Sequence, residues 1–370
     1  MDVYLNRVAT AVPPNDVHAT FVQFAEGLLE GSRSAPLFDR LVRRSQIDHR
    51  WSVLSMADGG RSATIGEEEV YRRGNFPSTA RRMRIYERFA ADLGERAIAG
   101  LGLGDGLRDV THVIAVSCTG LYAPGLDLEL VERCGLDPSV ERTVVGFMGC
   151  YAGINALKLA RHIVRSDARA RVLIVSVELC TLHLQETTDL EQVLSFLVFG
   201  DGCAAALVSA DPVGFRLDRF HAALLPEASG QITWTIGDGG FNMHLSGQVP
   251  ASVGEALRRS RATILDGAEV ADVDLWAVHP GGRSVLDAVQ GALGLPPGAL
   301  ADSREVLRTY GNMSSATVLF VLERMLARAR PGERGCAMAF GPGLTAETML
   351  FTAAPAHAAV ARPILEPAIA

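Results

Sequence analysis

Arg142-Thr-Val-Val-Gly-Phe-Met-Gly-Cys150-Tyr-Ala-Gly-Ile-Asn-Ala-Leu-Lys-Leu-Ala-Arg-His-Ile-Val-Arg165 is an apolar run that breaks at three glycines and resumes with helical spacing. Ile154, Leu157, Ala160 and Ile163 fall on one helix face, while Gly146, Gly149 and Gly153 allow tight turning and close backbone approach. The pattern predicts a strand feeding a helix, with Cys150 at the helix start. Unpaired N–H groups and the helix dipole there favour thiolate over thiol, which makes Cys150 a candidate nucleophile. The competing reading is a small core residue, the usual fate of a free cysteine. A nucleophilic cysteine also needs a base or charge partner elsewhere in the chain.

Composition bounds the class. The chain has 370 residues, 48% of them hydrophobic and 21% charged, enough for a large core or two fused ones. Net charge is −7 and the basic residues are scattered, which argues against nucleic acid as a partner. No apolar run reaches the length of a membrane span. The N-terminus lacks the basic-then-apolar order of a signal peptide, so a reducing cytoplasm and free thiols are expected for the six cysteines. With no Cys-x-x-Cys pair and no histidines at ligand spacing, no metal site is expected.

Along the chain, 3–12 reads as a strand and 18–30 and 36–45 as helices. The second helix carries Arg40, Arg43 and Arg44 on a basic face. Between Ser52 and Ser78 periodicity is lost, which predicts a long surface excursion, and helix resumes after Ser78-Thr79. Apolar runs then alternate with helical patterns: Val110–Ser117, the Cys150 unit, Arg171–Val177 and Cys203–Ser209, followed by Asp274–Val278, a helix from Asn312, Gly335–Phe340 and Glu347–Thr352. Such alternation predicts a layered α/β fold. The second series echoes the first, with Cys118 matched by His279 and Cys150 by Asn312 at a separation of roughly 160 residues. The expected organisation is a duplicated α/β unit with halves 1–210 and 211–352 and an Ala/Pro-rich tail, 353–370.

Duplication brings Cys150, His279 and Asn312 plausibly to one point between the halves. His279 closes a strand in Leu-Trp-Ala-Val-His-Pro-Gly-Gly, where loops carry function. Asn312 follows a glycine and reads equally as a helix N-cap. Together the three supply a nucleophile, a partner that lowers its pKa and two donors for an oxyanion. A protease or amidase uses the same residue types.

Five phrases in order narrow this: Phe-Met-Gly-Cys150-Tyr-Ala-Gly, Val-Phe199-Gly-Asp-Gly, Ala-Val-His279-Pro-Gly-Gly, Tyr-Gly-Asn312-Met-Ser-Ser and Phe-Gly-Pro-Gly343-Leu-Thr-Ala. They resemble the motifs of type III polyketide synthases, the chalcone synthase-like family of the thiolase fold. Val-Ser-Cys118-Thr-Gly and Val-Glu178-Leu-Cys180 resemble bacterial members in particular. The resemblance implies a homodimeric acyltransferase that needs no cofactor beyond its CoA-thioester substrates. An acyl-CoA starter would load on Cys150, and His279 and Asn312 would stabilise the enolate left when malonyl-CoA loses CO2. Phe199 would be the gatekeeper, Met243 stands where the family has a second phenylalanine, and Thr119 and Ser314 fall at the pocket wall. Arg40 and Arg44 match cations that hold CoA phosphates, whereas the third such cation falls on Leu37. A methionine that reaches the partner subunit in plant members falls on Ala123. Three plant threonines fall on Cys118, Cys180 and His183, and a cavity glycine falls on Trp234, whose indole is expected to fill space.

The implied activity is starter loading, decarboxylative Claisen extension and cyclisation, with a fatty acyl starter giving an alkylpyrone or alkylresorcinol as the favoured outcome. Alternatives are a synthase that uses malonyl or another short starter to make a small aromatic, a β-ketoacyl-acyl-carrier-protein synthase III, and a non-catalytic thiolase-fold protein that binds acyl-CoA.

Overall fold

A computed structural model describes residues 1–31, 34–57, 62–66 and 68–355. Among these residues a nine-stranded sheet runs in the order Leu275–Val278, Arg334–Gly341, Thr345–Ala353, Phe215–Leu224, Tyr4–Ala11, Asp201–Ser209, Val172–Leu179, His112–Ser117 and Glu141–Gly146. The echo in the sequence has a structural counterpart. His112–Ser117 pairs in parallel with Val172–Leu179, which pairs antiparallel with Asp201–Ser209. Leu275–Val278, Arg334–Gly341 and Thr345–Ala353 repeat that order. The two sets join through Tyr4–Ala11, which meets Phe215–Leu224 at only Tyr4↔Arg216 and Leu5↔Phe215.

Two helices, Ala152–Ser166 and Thr317–Leu326, fill the space between the sets. Ile154, Leu157, Ala160, Val318, Leu319 and Val321 are sealed from solvent, in one apolar cluster with strands of both halves. The opening turns of both, 152–157 and 317–322, are buried on every side, the setting in which a helix is apolar nearly all round. The helix Thr79–Gly100, capped by the Ser78 side chain, covers one outer face, and Val249–Ile264 with Arg283–Leu293 covers the other. The result is alternating helix and sheet layers, the thiolase architecture. No helix among the described residues is long and apolar enough to cross a membrane.

Two expectations are corrected. The stretch 52–78 contains a three-stranded antiparallel sheet, Ser55–Ala57, Ser62–Ile65 and Glu68–Arg72, rather than a structureless excursion. Its only long apolar side chains on the last strand, Val70 and Tyr71, are buried. The helix expected from Asn312 starts at Thr317, after a short 3₁₀ turn over Ser314–Ala316. Of the tail, 356–370 lies outside the described residues.

Candidate active site

Cys150 lies two residues before the helix Ala152–Ser166, at the inner end of the strand Glu141–Gly146. Gly149 has φ of 82°, and a Cβ there would come within 2.5 Å of the Pro342 ring. The glycine before the cysteine and the proline of Phe340-Gly-Pro-Gly are therefore a single contact. Gly153 faces the Ser315 carbonyl, 2.5 Å from where its Cβ would stand, so the cysteine helix packs directly on the Asn312 loop. Phe147, three residues before Cys150, and Ser314, whose side chain bonds the thiol, both take left-handed backbone at φ 60° and 46°. For residues other than glycine this costs on the order of 1 kcal/mol or more each, and such strain concentrates at functional sites.

Asn312 is held by backbone pairing. Its N–H donates to the Val198 carbonyl at 2.7 Å, and its carbonyl accepts from Gly200 N at 2.9 Å, which places Phe199 in a parallel bridge with it. The Asn312 Oδ1 accepts from Ser314 N at 2.8 Å, so the amide group is fixed with its Nδ2 donors turned to the cavity side, 3.4 Å from the Gly281 carbonyl. The Oδ1 bond is of the kind a capping asparagine makes, but it serves the 3₁₀ turn Ser314–Ala316 and not the helix, which begins at Thr317. His279 is buried, and neither ring nitrogen has a partner among the described residues. An imidazole with both nitrogens unsatisfied in a closed site is costly unless a ligand supplies the missing bond.

Cys150, His279, Asn312, Phe199, Ser314, Thr119, Cys118, Cys180, Trp234 and Met243 all line one cavity of about 470 Å³. His183 does not. It packs behind the wall, stacked on Phe241 at 4.2 Å and edge-on to Trp234 at 5.4 Å. Its Nε2 donates to the Thr119 carbonyl at 2.7 Å and its Nδ1 accepts from Phe241 N at 3.1 Å. Its expected place in the pocket is thus corrected to a support for Trp234. The indole itself donates to the Cys118 carbonyl at 2.7 Å.

Two profiles match the chain, "Chalcone and stilbene synthases, N-terminal domain" over residues 9–212 and "Chalcone and stilbene synthases, C-terminal domain" over 217–355. The chain belongs to the chalcone and stilbene synthase family. It is a type III polyketide synthase, an acyltransferase. It is 35% identical over 329 residues, 84% of this chain and 81% of the other, to the "Alpha-pyrone synthesis polyketide synthase-like Pks18" of Mycobacterium tuberculosis. It is 35% identical over 284 residues, 71% and 70% of the two chains, to a bisdemethoxycurcumin synthase of Oryza sativa. Among solved structures, PKS-I of the brown alga Ectocarpus siliculosus aligns over 95% of this chain and 98% of its own with a TM-score of 0.81 at 28% identity. The type III domain of Steely1 from Dictyostelium aligns over 96% and 100% with a TM-score of 0.84, and at 24% identity it speaks to the fold alone.

The electrostatics of this synthase differ from the sequence expectation in one respect. Burial pushes the Cys150 thiol up to about 12, against hydrogen bonds from Ser314 and Asn312 that favour the thiolate. Burial also drives His279 down to about 3. Desolvation therefore outweighs the helix start, and the pair rests as neutral thiol and neutral imidazole. A neutral imidazole with a free nitrogen is equipped to accept the thiol proton.

Sequence reading missed two groups. Glu178 is fully buried and accepts from Cys118 N at 3.0 Å, from the Thr119 hydroxyl at 2.8 Å and from the Ser315 hydroxyl. It ties the Cys118 turn to the Asn312 loop, and a carboxylate within an otherwise apolar strand was the available signal. Arg283 sits with Arg44 on an outer groove of about 600 Å³ that shares Leu41, Leu194 and Val198 with the catalytic cavity. Its Nη1 donates to the Arg44 carbonyl at 3.2 Å. Arg40, exposed on the same helix as Arg44, lines neither space.

Proposed function

We propose that this synthase loads a fatty acyl starter from its CoA thioester onto Cys150, extends it with malonyl-CoA and closes the product to an alkylpyrone or alkylresorcinol. The Cys150 proton passes to His279, Sγ attacks the starter carbonyl, and CoA leaves as the thiol by taking a proton back. Malonyl-CoA then places its thioester oxygen against His279 and the Asn312 amide. CO2 departs, the C–C electron pair becomes an enolate held by those donors, and the enolate carbon attacks the Cys150 thioester, releasing the thiolate. The Phe199 ring keeps water from the malonyl carboxylate, which favours its loss.

The observation that carries the starter assignment is the wall of the cavity. It is mostly apolar, with Leu190, Leu194 and Phe196 from one helix and Ile232 and Leu245 from the hairpin that bears Trp234 and Met243, among fewer polar groups such as Glu191 and Ser195. The name of the mycobacterial relative, which specifies alpha-pyrone synthesis, agrees with it. The test is a starter series from malonyl- through hexanoyl- to palmitoyl-CoA on wild type and Trp234→Gly. Wild type is expected to accept the long chains, and the variant to shift its starter and product profile. Use of malonyl-CoA alone would point to the short-starter reading, and dependence on carrier protein to a β-ketoacyl synthase.

At the outer groove, Arg44 and Arg283 hold CoA phosphates, Arg283 supplying the cation that is missing at Leu37. Paired guanidinia suit phosphate. Arg44→Ala and Arg283→Ala should each raise the acyl-CoA KM roughly fivefold to tenfold with little change in kcat, and Arg40→Ala less, as steady-state kinetics will report.

The chain acts as a homodimer in the cytoplasm, with halves 1–210 and 211–352. Val144 lies on the terminal strand of the sheet, with Met148 four residues on and Leu121 against Gly146 of that strand, all three exposed, and exposed sheet edges with apolar side chains call for cover. Sedimentation of wild type against Val144→Glu measures this.

A further inference from the structure

Arg50 is sealed from solvent, yet no carboxylate among the described residues lies within ion-pair distance of it. Its guanidinium turns to backbone and to His18 instead, and Nη2 has no partner among the described residues. Nη1 donates to the Phe196 and Phe199 carbonyls, both at 2.8 Å, and Nε donates to His18 Nδ1 at 2.9 Å. The carbonyls belong to the end of the helix Leu190–Val198 and to the residue after it, where free acceptors and the negative end of the dipole gather. Burial lowers Arg50 to about 10, so it remains a cation at neutral pH.

The stem of the same side chain supports the other segment of the site. A Cβ on Gly311, which has φ of 70°, would stand 2.8 Å from Arg50 Cγ and 2.8 Å from the Val198 carbonyl. A Cβ on Gly200 would stand 3.6 Å from Arg50 Cβ. The strap 198–200 and the turn 310–312 thus meet over Arg50, joined by the two hydrogen bonds between Val198, Asn312 and Gly200.

We infer that Arg50 is a positioning residue for the extension half-reaction: it fixes the backbone of Phe199 and, through the bridge, the oxyanion donor Asn312, without touching substrate. The inference rests on the decarboxylating role proposed for these residues. Removing the guanidinium takes a donor from three acceptors beside the two residues that handle malonyl-CoA, while the backbone at Cys150 keeps the helix Ala152–Ser166 that follows it.

The experiment compares wild type, Arg50→Ala and Arg50→Lys for malonyl-CoA decarboxylation and, separately, for acylation of Cys150 by intact-protein mass spectrometry. Lysine keeps charge and stem but cannot serve both carbonyls and His18. Both variants are expected to lose roughly 10- to 10²-fold in decarboxylation, the scale for a misplaced catalytic group, and to reach full acylation. Added guanidinium ion should restore part of the loss in Arg50→Ala. If Arg50→Ala does not fold, Arg50→Lys decides. Wild-type decarboxylation in Arg50→Lys, or losses of equal size in both half-reactions that track a lowered Tm, would overturn the inference. A wild type that does not decarboxylate malonyl-CoA would instead refute the proposed reaction itself.

Discussion

Cys150→Ala will form no acyl-enzyme, and its turnover will fall by roughly 10⁴-fold or more, the scale for deleting a nucleophile. Three thiols line the cavity, so the result discriminates between them. Cys118 is engaged with the backbone, its Sγ accepting from Gly149 N at 3.0 Å, and burial raises both Cys118 and Cys180 well above the usual thiol range. Cys150 instead receives the Ser314 and Asn312 side chains and precedes a helix. Intact-protein mass spectrometry after exposure to acyl-CoA, followed by peptide mapping, locates the adduct. An adduct that survives in Cys150→Ala, or one mapped to Cys118 or Cys180, would refute the assignment.

His279→Ala and Asn312→Ala should each lower malonyl-CoA decarboxylation by about 10²- to 10³-fold, as removal of an oxyanion donor does. The structure gives the two residues different failure modes. The His279 ring nitrogens have no partner to lose among the described residues, so its removal should leave the fold intact and cost both decarboxylation and starter loading. Asn312 is bound on its Oδ1 side by Ser314 N and the Thr317 hydroxyl. Asn312→Asp would keep those bonds and replace the donor by a second acceptor, so its loss should be at least as large as that of the alanine variant. Measuring released CO2 checks both, and a normal rate in any of the three excludes that residue from enolate stabilisation.

The Cys150 unit, the alternation of strands with helices and the duplication were legible because they are carried by apolar periodicity, which burial on both faces makes strong. The trio was legible through its phrases. The sheet within 55–72 was not, since Glu68-Glu-Val-Tyr-Arg hides two buried side chains among three charged ones. Nor was Arg50 legible: an arginine after Asp48-His49 reads as solvated surface, and only the carbonyls brought from residues 196 and 199 make it an interior group. The thiol's charge state was missed for a related reason. The helix start is written locally in the sequence, while the desolvation that overrides it comes from the whole cavity.

The central position of Tyr4–Ala11 has a consequence for how the protein is made. Tyr4 is in register with Ser209, and its other edge meets Phe215–Leu224. At ribosomal speeds of about 5–20 residues per second, the first strand waits roughly 10–40 s after synthesis for either neighbour to exist. Until then Val3, Leu5 and Val8, all buried in the finished molecule, have no sheet to join. Nascent chains cut short of residue 201 should therefore be chaperone clients, because Tyr4–Ala11 must wait until His112–Ser117, Glu141–Gly146, Val172–Leu179 and Asp201–Ser209 have all been made.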